Sequence, residues 1–215
     1  AVPLNPGRSA PEAGAQIRQE ADDAFLGHYL EPVVTRILGE YRTSVITDPP
    51  DGRVPATRSD FQDFHARRQA QGLSATDGPE GQPLSGRCLI FGAAIPNLTP
   101  MMMNPNLQIV QNESYVVVMT EMIHDVRIIR LGKAHHEDGI NRWMGDSVGH
   151  WEGDTLVVHS EHFRPEQSTD RMGFRVSEQF EVIEHYTLTS DETIHYRFSI
   201  NDPKAYGVPI SGERT

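Results

Sequence analysis

Asp146, His150 and His159 are the residues of this chain whose types and spacing best suit chemistry. A carboxylate beside an imidazole orients the ring and raises its basicity, giving an acid or base that works near neutral pH. All three fall between Trp143 and Phe163, a stretch that also holds both tryptophans. An ordinary cross-strand ion pair on a half-buried sheet face has the same signature, so the catalytic and the structural readings both stand.

The stretch itself reads as a β-hairpin. One strand runs from Asp146 to Trp151, a tight turn falls at Glu152-Gly153, and a second strand runs from Asp154 to Phe163, with glycine supplying the positive φ that tight hairpins need. A two-residue loop there sets Val148 opposite Val157, His150 opposite Thr155 and Asp146 opposite His159. Because side chains alternate, Asp146, Val148, His150, Thr155, Val157, His159 and Glu161 share one face. Gly149, Trp151, Leu156, Val158 and His162 share the other.

Eight of the ten histidines lie between 124 and 195. Glu121 and His124, at the end of an apolar strand, are costly there unless paired or facing water, and a turn at His124-Asp125 is the simpler reading. His135-His-Glu-Asp138 has metal-ligand residue types, but adjacent side chains point apart, and an exposed acidic loop is the plainer expectation. His159 and His162 fall on opposite strand faces, unlike the helical His-x-x-x-His device. No Gly-rich phosphate loop, Gly-x-Ser-x-Gly elbow or dinucleotide fingerprint appears, so neither cofactor nor metal is called for. Tyr115, Tyr196, Tyr206, Trp143 and Trp151 are available to line an apolar cavity around the acid–base group. Asp202, in Asp202-Pro-Lys-Ala-Tyr206, either completes the polar set or caps a turn.

The elements that must position these residues are mostly strands. Residues 10–40 have helical periodicity, broken at Pro32, and predict two helices, the second stopping near Gly39. Val45–Thr47 reads as a brief strand and Asp48–Arg53 as a Pro/Gly turn. Ser59 reads as the N-cap of a helix over Asp60–Gln71. Residues 72–87 form a long polar loop. Cys88–Asn106 is apolar but broken by prolines, and encloses Met101 and Met103. It is either an irregular cover over one end of the core or an adaptable wall for a ligand. Beyond Leu107, strands are predicted over Gln108–Gln111, Tyr115–Met122, Val126–Leu131, the hairpin, Arg175–Tyr186 and Thr193–Asn201. Short connections imply an antiparallel meander that closes into a barrel or sandwich.

Composition narrows the function classes. The chain has 215 residues, 37% hydrophobic and 23% charged, as expected of a folded globular protein. A net charge of −11 without a Lys/Arg cluster argues against nucleic acid as a partner. No apolar run approaches the roughly 20 residues of a membrane span. The single cysteine, Cys88, excludes an internal disulfide and a Cys-rich zinc site, and a buried structural thiol is the ordinary expectation. The chain starts at Ala1 rather than Met, which reads as a signal peptide removed or not included.

Several segments resemble an otherwise uncharacterised family of exported bacterial proteins. They are Arg42-Thr-Ser-Val-Ile-Thr-Asp-Pro-Pro-Asp-Gly-Arg-Val-Pro55, Arg87-Cys-Leu89, Gln108-Ile-Val-Gln111, Trp143-Met-Gly-Asp-Ser-Val-Gly-His-Trp-Glu-Gly-Asp-Thr-Leu-Val-Val158 and Ile200-Asn-Asp-Pro-Lys-Ala-Tyr206. The resemblance runs from about Tyr41 to Thr215 and implies a periplasmic or secreted location. It implies no activity. Where the family pattern follows Arg-Cys-Leu with Pro-Pro-Gly, this chain has Ile90-Phe-Gly92.

The expected architecture is therefore mainly β. An N-terminal helical extension over 1–40 packs outside a single barrel-like domain over 41–215. The leading functional expectation is a cofactor-independent lyase, isomerase or cyclase that moves protons through Asp146, His159 and His150 on a small apolar molecule in the barrel. A non-catalytic exported binding protein is the alternative, and a metal-dependent hydrolase the third.

Overall fold

The structure is a computed structural model that describes residues 35–38, 40–42, 44–74, 77–82, 84, 86–90, 106–121, 124–167 and 174–215. The first of the two expected helices, the Met101 and Met103 segment and part of the polar loop lie outside these residues. Among the described residues no helix is long and apolar enough to cross a membrane.

The fold is mainly β, as expected. Strands β1 (Thr35–Ile37) and β2 (Glu40–Arg42) form a two-stranded sheet. They overturn the helix expected to continue to Gly39, and they run across the expected domain boundary at 40/41. Nine further strands make one sheet that curls into a half-barrel. These are β3 (Ile46–Asp48), β4 (Leu107–Gln111), β5 (Tyr115–Thr120), β6 (Val126–Leu131), β7 (Asp146–Glu152), β8 (Thr155–Glu161), β9 (Glu181–Ser190), β10 (Thr193–Asn201) and β11 (Ile210–Arg214). Their order across the sheet is β3-β11-β10-β9-β8-β7-β6-β5-β4.

Two features depart from a simple meander. β6 and β7 are parallel neighbours, with Ile129 beside Ser147. Parallel neighbours need a long crossover, and residues 132–145 supply it, carrying His135 and His136 across the sheet on the way. β11 was not anticipated, since Ile210-Ser-Gly-Glu-Arg214 carries little apolar alternation to announce it. The helix α1 (Phe64–Ala70) is shorter than expected. Its N-cap is Asp63 rather than Ser59, because the Asp63 carboxylate accepts the Ala66 N–H at 2.7 Å.

Alternation along the strands divides the sheet into two chemically different faces. The inner face carries Val116, Val118, Ile129, Leu156, Val158, Val182, Tyr196, Phe198 and Ile200, all buried. Phe163, Phe174 and Phe180 from the connecting segments pack into the same core. The outer face carries Arg130, Asp146, Val148, His159, Glu161 and Glu181.

Candidate functional site

The β7–β8 hairpin turns at Gly153-Asp154, with Glu152 opposite Thr155. Gly153 has φ +59° and is the first loop residue, where a two-residue turn needs positive φ and Asp154 does not. Placing the glycine second, at Glu152-Gly153, shifted the expected register. Asp146 faces Glu161 instead of His159, Val148 faces His159, and His150 faces Val157. The displacement is two residues along one strand, so the side chains from Asp146 to Glu161 keep their expected faces. His162 does not: it lies beyond the end of β8 with φ +57°, and its ring sits on the outer side, 6.3 Å from that of His135. The face was legible and the partners were not.

Asp146 and His159 are nonetheless joined, through a residue from the crossover. Asp146 is nearly inaccessible, and its carboxylate accepts from Arg130 Nη2 at 3.0 Å, from the His136 amide at 2.8 Å, and from His135 Nδ1 and His136 Nδ1 at 3.0 Å each. Burial works against its charge, yet the His136 amide and ring, the His135 ring and Arg130 together hold the carboxyl well below the usual carboxylate range. His135 Nε2 then lies 2.9 Å from His159 Nδ1, the rings meeting edge-on. His159 Nε2 is 3.4 Å from Glu181 Oε2, and Glu161 Oε1 is 3.8 Å from His135 Nδ1 and 3.6 Å from His162 Nε2. The expectation of an exposed acidic loop at His135–Asp138 fails for His135, whose side chain is only 19% exposed. Adjacent residues do point apart there, but His136 returns to Asp146 through its own amide and ring.

The other expected members of this group are elsewhere. His150 is exposed, bonded to Glu152 at 3.1 Å, two rungs along β7 from Asp146. Tyr115 is on the outer face beside Arg130, half exposed. Glu121 is exposed and accepts from Asn106 Nδ2 at 2.8 Å, and His124 sits exposed with φ +61° in the β5–β6 connection. Asp202 is buried and structural: its carboxylate accepts the Ser177 hydroxyl at 2.6 Å, the Ser177 amide at 2.7 Å and the Ala205 amide at 3.1 Å. Tyr206 is buried too, its hydroxyl accepting the Arg175 amide at 2.6 Å. Trp143 packs against the core with the Arg164 guanidinium 4.4 Å from its ring. Cys88 is exposed, against the expectation of a buried thiol.

The cavity lies on the opposite face from the histidines. It measures about 570 Å³ on the inner side of the half-barrel, walled by Val116, Val118, Ile129, Leu156, Leu188 and Ile194. Trp151 stands at its edge, and Gln111, Gly153 and Asp154 supply the polar positions. Of the residues expected to line it, Trp151 does so. Asp146 and His159 face the other way, and Tyr196 lies buried within the wall.

Beside this cavity is a charged network that the sequence reading missed. Arg127 donates from Nη1 to Glu184 Oε1 at 3.1 Å and from Nη2 to Glu184 Oε2, with both residues fully buried. Its Nε and Nη2 also donate to Ser147 and Ser160, each at 3.0 Å. Tyr186 and Tyr196 donate their hydroxyls to Glu184 Oε1 at 2.9 and 2.8 Å. Burial opposes the charge on Arg127, but Glu184 keeps it above its ordinary range. Burial first, then Glu184, push both tyrosines well up. A usable signal existed: Arg127 and Glu184 are opposite charges at positions where alternation with Ile129 and with Val182 and Tyr186 calls for inward apolar residues. Tyr186 connects the two features, its ring lining the cavity and its hydroxyl held by Glu184.

Comparison with protein-family models, with curated proteins and with solved structures finds no match for this chain.

Proposed function

We propose that this chain binds a small, largely apolar molecule in the inner cavity of its half-barrel, as an exported binding protein. The observation that carries the reading is the cavity itself. Its volume of about 570 Å³ suits a small organic ligand, and its walls are apolar with a few polar groups at one side. Tyr186 is held rigidly by Glu184, so the wall needs little ordering when a ligand arrives. Export rests only on the family resemblance carried by the segments between Tyr41 and Thr215, of which the tryptophan-flanked one is the most specific.

Titration with a neutral apolar fluorophore such as N-phenyl-1-naphthylamine tests it. Saturable binding at one site is expected, weakened at least tenfold by Trp151→Ala and by Leu188→Glu. Leu188 is more than half exposed at the rim, so the second change spares the core. Binding that is unsaturable, or indifferent to both substitutions, would overturn the reading.

A second reading keeps acid–base chemistry but moves it to the outer face. The observation in its favour is the continuous path from Asp146 through His135 to His159. In this reading an ionised Asp146 holds the His135 proton on Nδ1, and a proton is exchanged at the Nε2 side. Turnover of a substrate that fails in Asp146→Asn and His135→Gln, but survives Trp151→Ala, would select it.

A further inference from the structure

The contact between His135 and His159 has an unusual electrostatic requirement. An ionised Asp146 accepts from His135 Nδ1, which therefore carries the hydrogen and leaves a lone pair on Nε2. On the far side, Glu181 Oε2 at 3.4 Å from His159 Nε2 favours the hydrogen there, leaving a lone pair on Nδ1. Those two lone pairs face each other across 2.9 Å. Such a pair repels unless something positive lies between, either a proton or a metal ion.

The surroundings favour the metal. One donor atom from each of His135, His159 and Glu161 lies within 4.8 Å of the others. Two imidazoles and a carboxylate are the ligand types of a zinc-class site with an open position. Each imidazole already has a carboxylate on its other nitrogen, Asp146 for His135 and Glu181 for His159. That arrangement fixes the ligating tautomer in metal sites. Asp146, Glu161 and Glu181 gather negative charge here, and Asp146 is partly answered by Arg130. Tetrahedral zinc with nitrogen ligands at about 2.0–2.1 Å separates those nitrogens by about 3.3 Å. The rings need to part by only a few tenths of an ångström. Next to them, the His162 Nδ1 is buried without a hydrogen-bond partner among the described residues, in a ring 6.3 Å from that of His135.

We propose that His135, His159 and Glu161 bind one divalent transition-metal ion of the zinc class on the outer face of the sheet, with Asp146 and Glu181 as positioning residues. This site is separate from the apolar cavity and does not depend on it. The test is titration of the whole metal-free chain with Zn²⁺ alone against a chromophoric chelator, and with Co²⁺ read by its visible absorption. One Zn²⁺ per chain is expected, with a Co²⁺ spectrum of low coordination number. His159→Ala and Glu161→Gln should weaken Zn²⁺ at least a hundredfold, and Asp146→Asn by 10–100-fold, as loss of an outer partner does. His65→Ala and His185→Ala should leave it unchanged. Should a variant fail to fold, ¹⁵N spectra of the imidazoles in the unsubstituted protein decide. Zn²⁺ must then shift His135 Nε2 and His159 Nδ1 and leave the proton on their partner nitrogens. Substoichiometric or multiple weak binding, or ring spectra that Zn²⁺ does not move, would mean that a shared proton joins the two rings and that the metal site is wrong.

Discussion

Arg127 and Glu184 are 57 residues apart in the chain and meet with both guanidinium branches on both carboxylate oxygens, fully buried on the inner face. The next outward-facing arginine of the same strand, Arg130, reaches the other face and bonds Asp146. β6 thus carries one cation to each side of the sheet. The inner one also bonds two serine hydroxyls, and the outer one bonds a carboxylate that two imidazoles share.

A buried pair of this kind is expensive to break. Removing one partner leaves an uncompensated charge, which costs about 3–5 kcal/mol. Arg127→Met strands Glu184 and Glu184→Gln strands Arg127, so each single change should lower stability by that order in urea denaturation. The double substitution removes both charges while the glutamine still accepts from the tyrosines. It should therefore lie closer to the unsubstituted protein than either single variant does.

Asp146 links stability to acid. Its folded carboxyl titrates well below the usual range, whereas in the unfolded chain it titrates near the ordinary value of about 3.9. Between those points the unfolded state binds more protons, so its contribution is present above the unfolded value and is lost as pH falls toward the folded one. Stability measured by thermal melting from pH 6 down to pH 2 should fall steeply. In Asp146→Asn the protein should be weaker at pH 6 and its acid decline shallower.

Two glycines with the same backbone sign should respond differently to alanine. Gly145 has φ +67°, and a Cβ there would sit 2.4 Å from the ring of Phe163, which is buried and has no room to yield. Gly153 has φ +59° with nothing within 4 Å of the added carbon. Gly153→Ala should cost about 1 kcal/mol of backbone strain. Gly145→Ala adds the steric conflict and should cost clearly more, with the loss read as a lower urea midpoint.

Cys88 gives a simple check on the connecting segment. Because it is exposed, Cys88 of the native protein should attack an aromatic disulfide reagent, form a mixed disulfide and release one equivalent of the reagent's aromatic thiolate, at the same rate as the unfolded chain within about tenfold. A thiol that reacts only after denaturation would contradict its placement.

Much of the sheet was legible because alternation is a local property. Val126–Leu131 and Thr193–Asn201 were read to the residue, and the residues sharing each face from Asp146 to Glu161 were grouped correctly, although the Asp146 and His159 face was expected inside the barrel and lies outside it. Turn geometry was less accessible: Gly153 was seen as the turn residue, but its place within the loop decides the register. Where alternation was weak, as in Ile210–Arg214, the strand was missed. Asp202 and Tyr206 were candidates for the polar set on residue type alone. Their partners, Ser177 and Arg175, are distant in sequence, and those contacts make them structural.

From sequence alone follow a mainly β chain, the Asp146-to-His159 face as a concentration of titratable groups, and the absence of the nucleotide and phosphate motifs. These depend on residue type, spacing and period, which the chain carries locally. Tertiary structure decided which groups meet. The parallel β6–β7 crossover brings His135 between Asp146 and His159, and sheet curvature puts the cavity on the side that those residues do not face. Both depend on how distant segments cross and pack, and no local pattern encodes a contact that only the closed sheet creates.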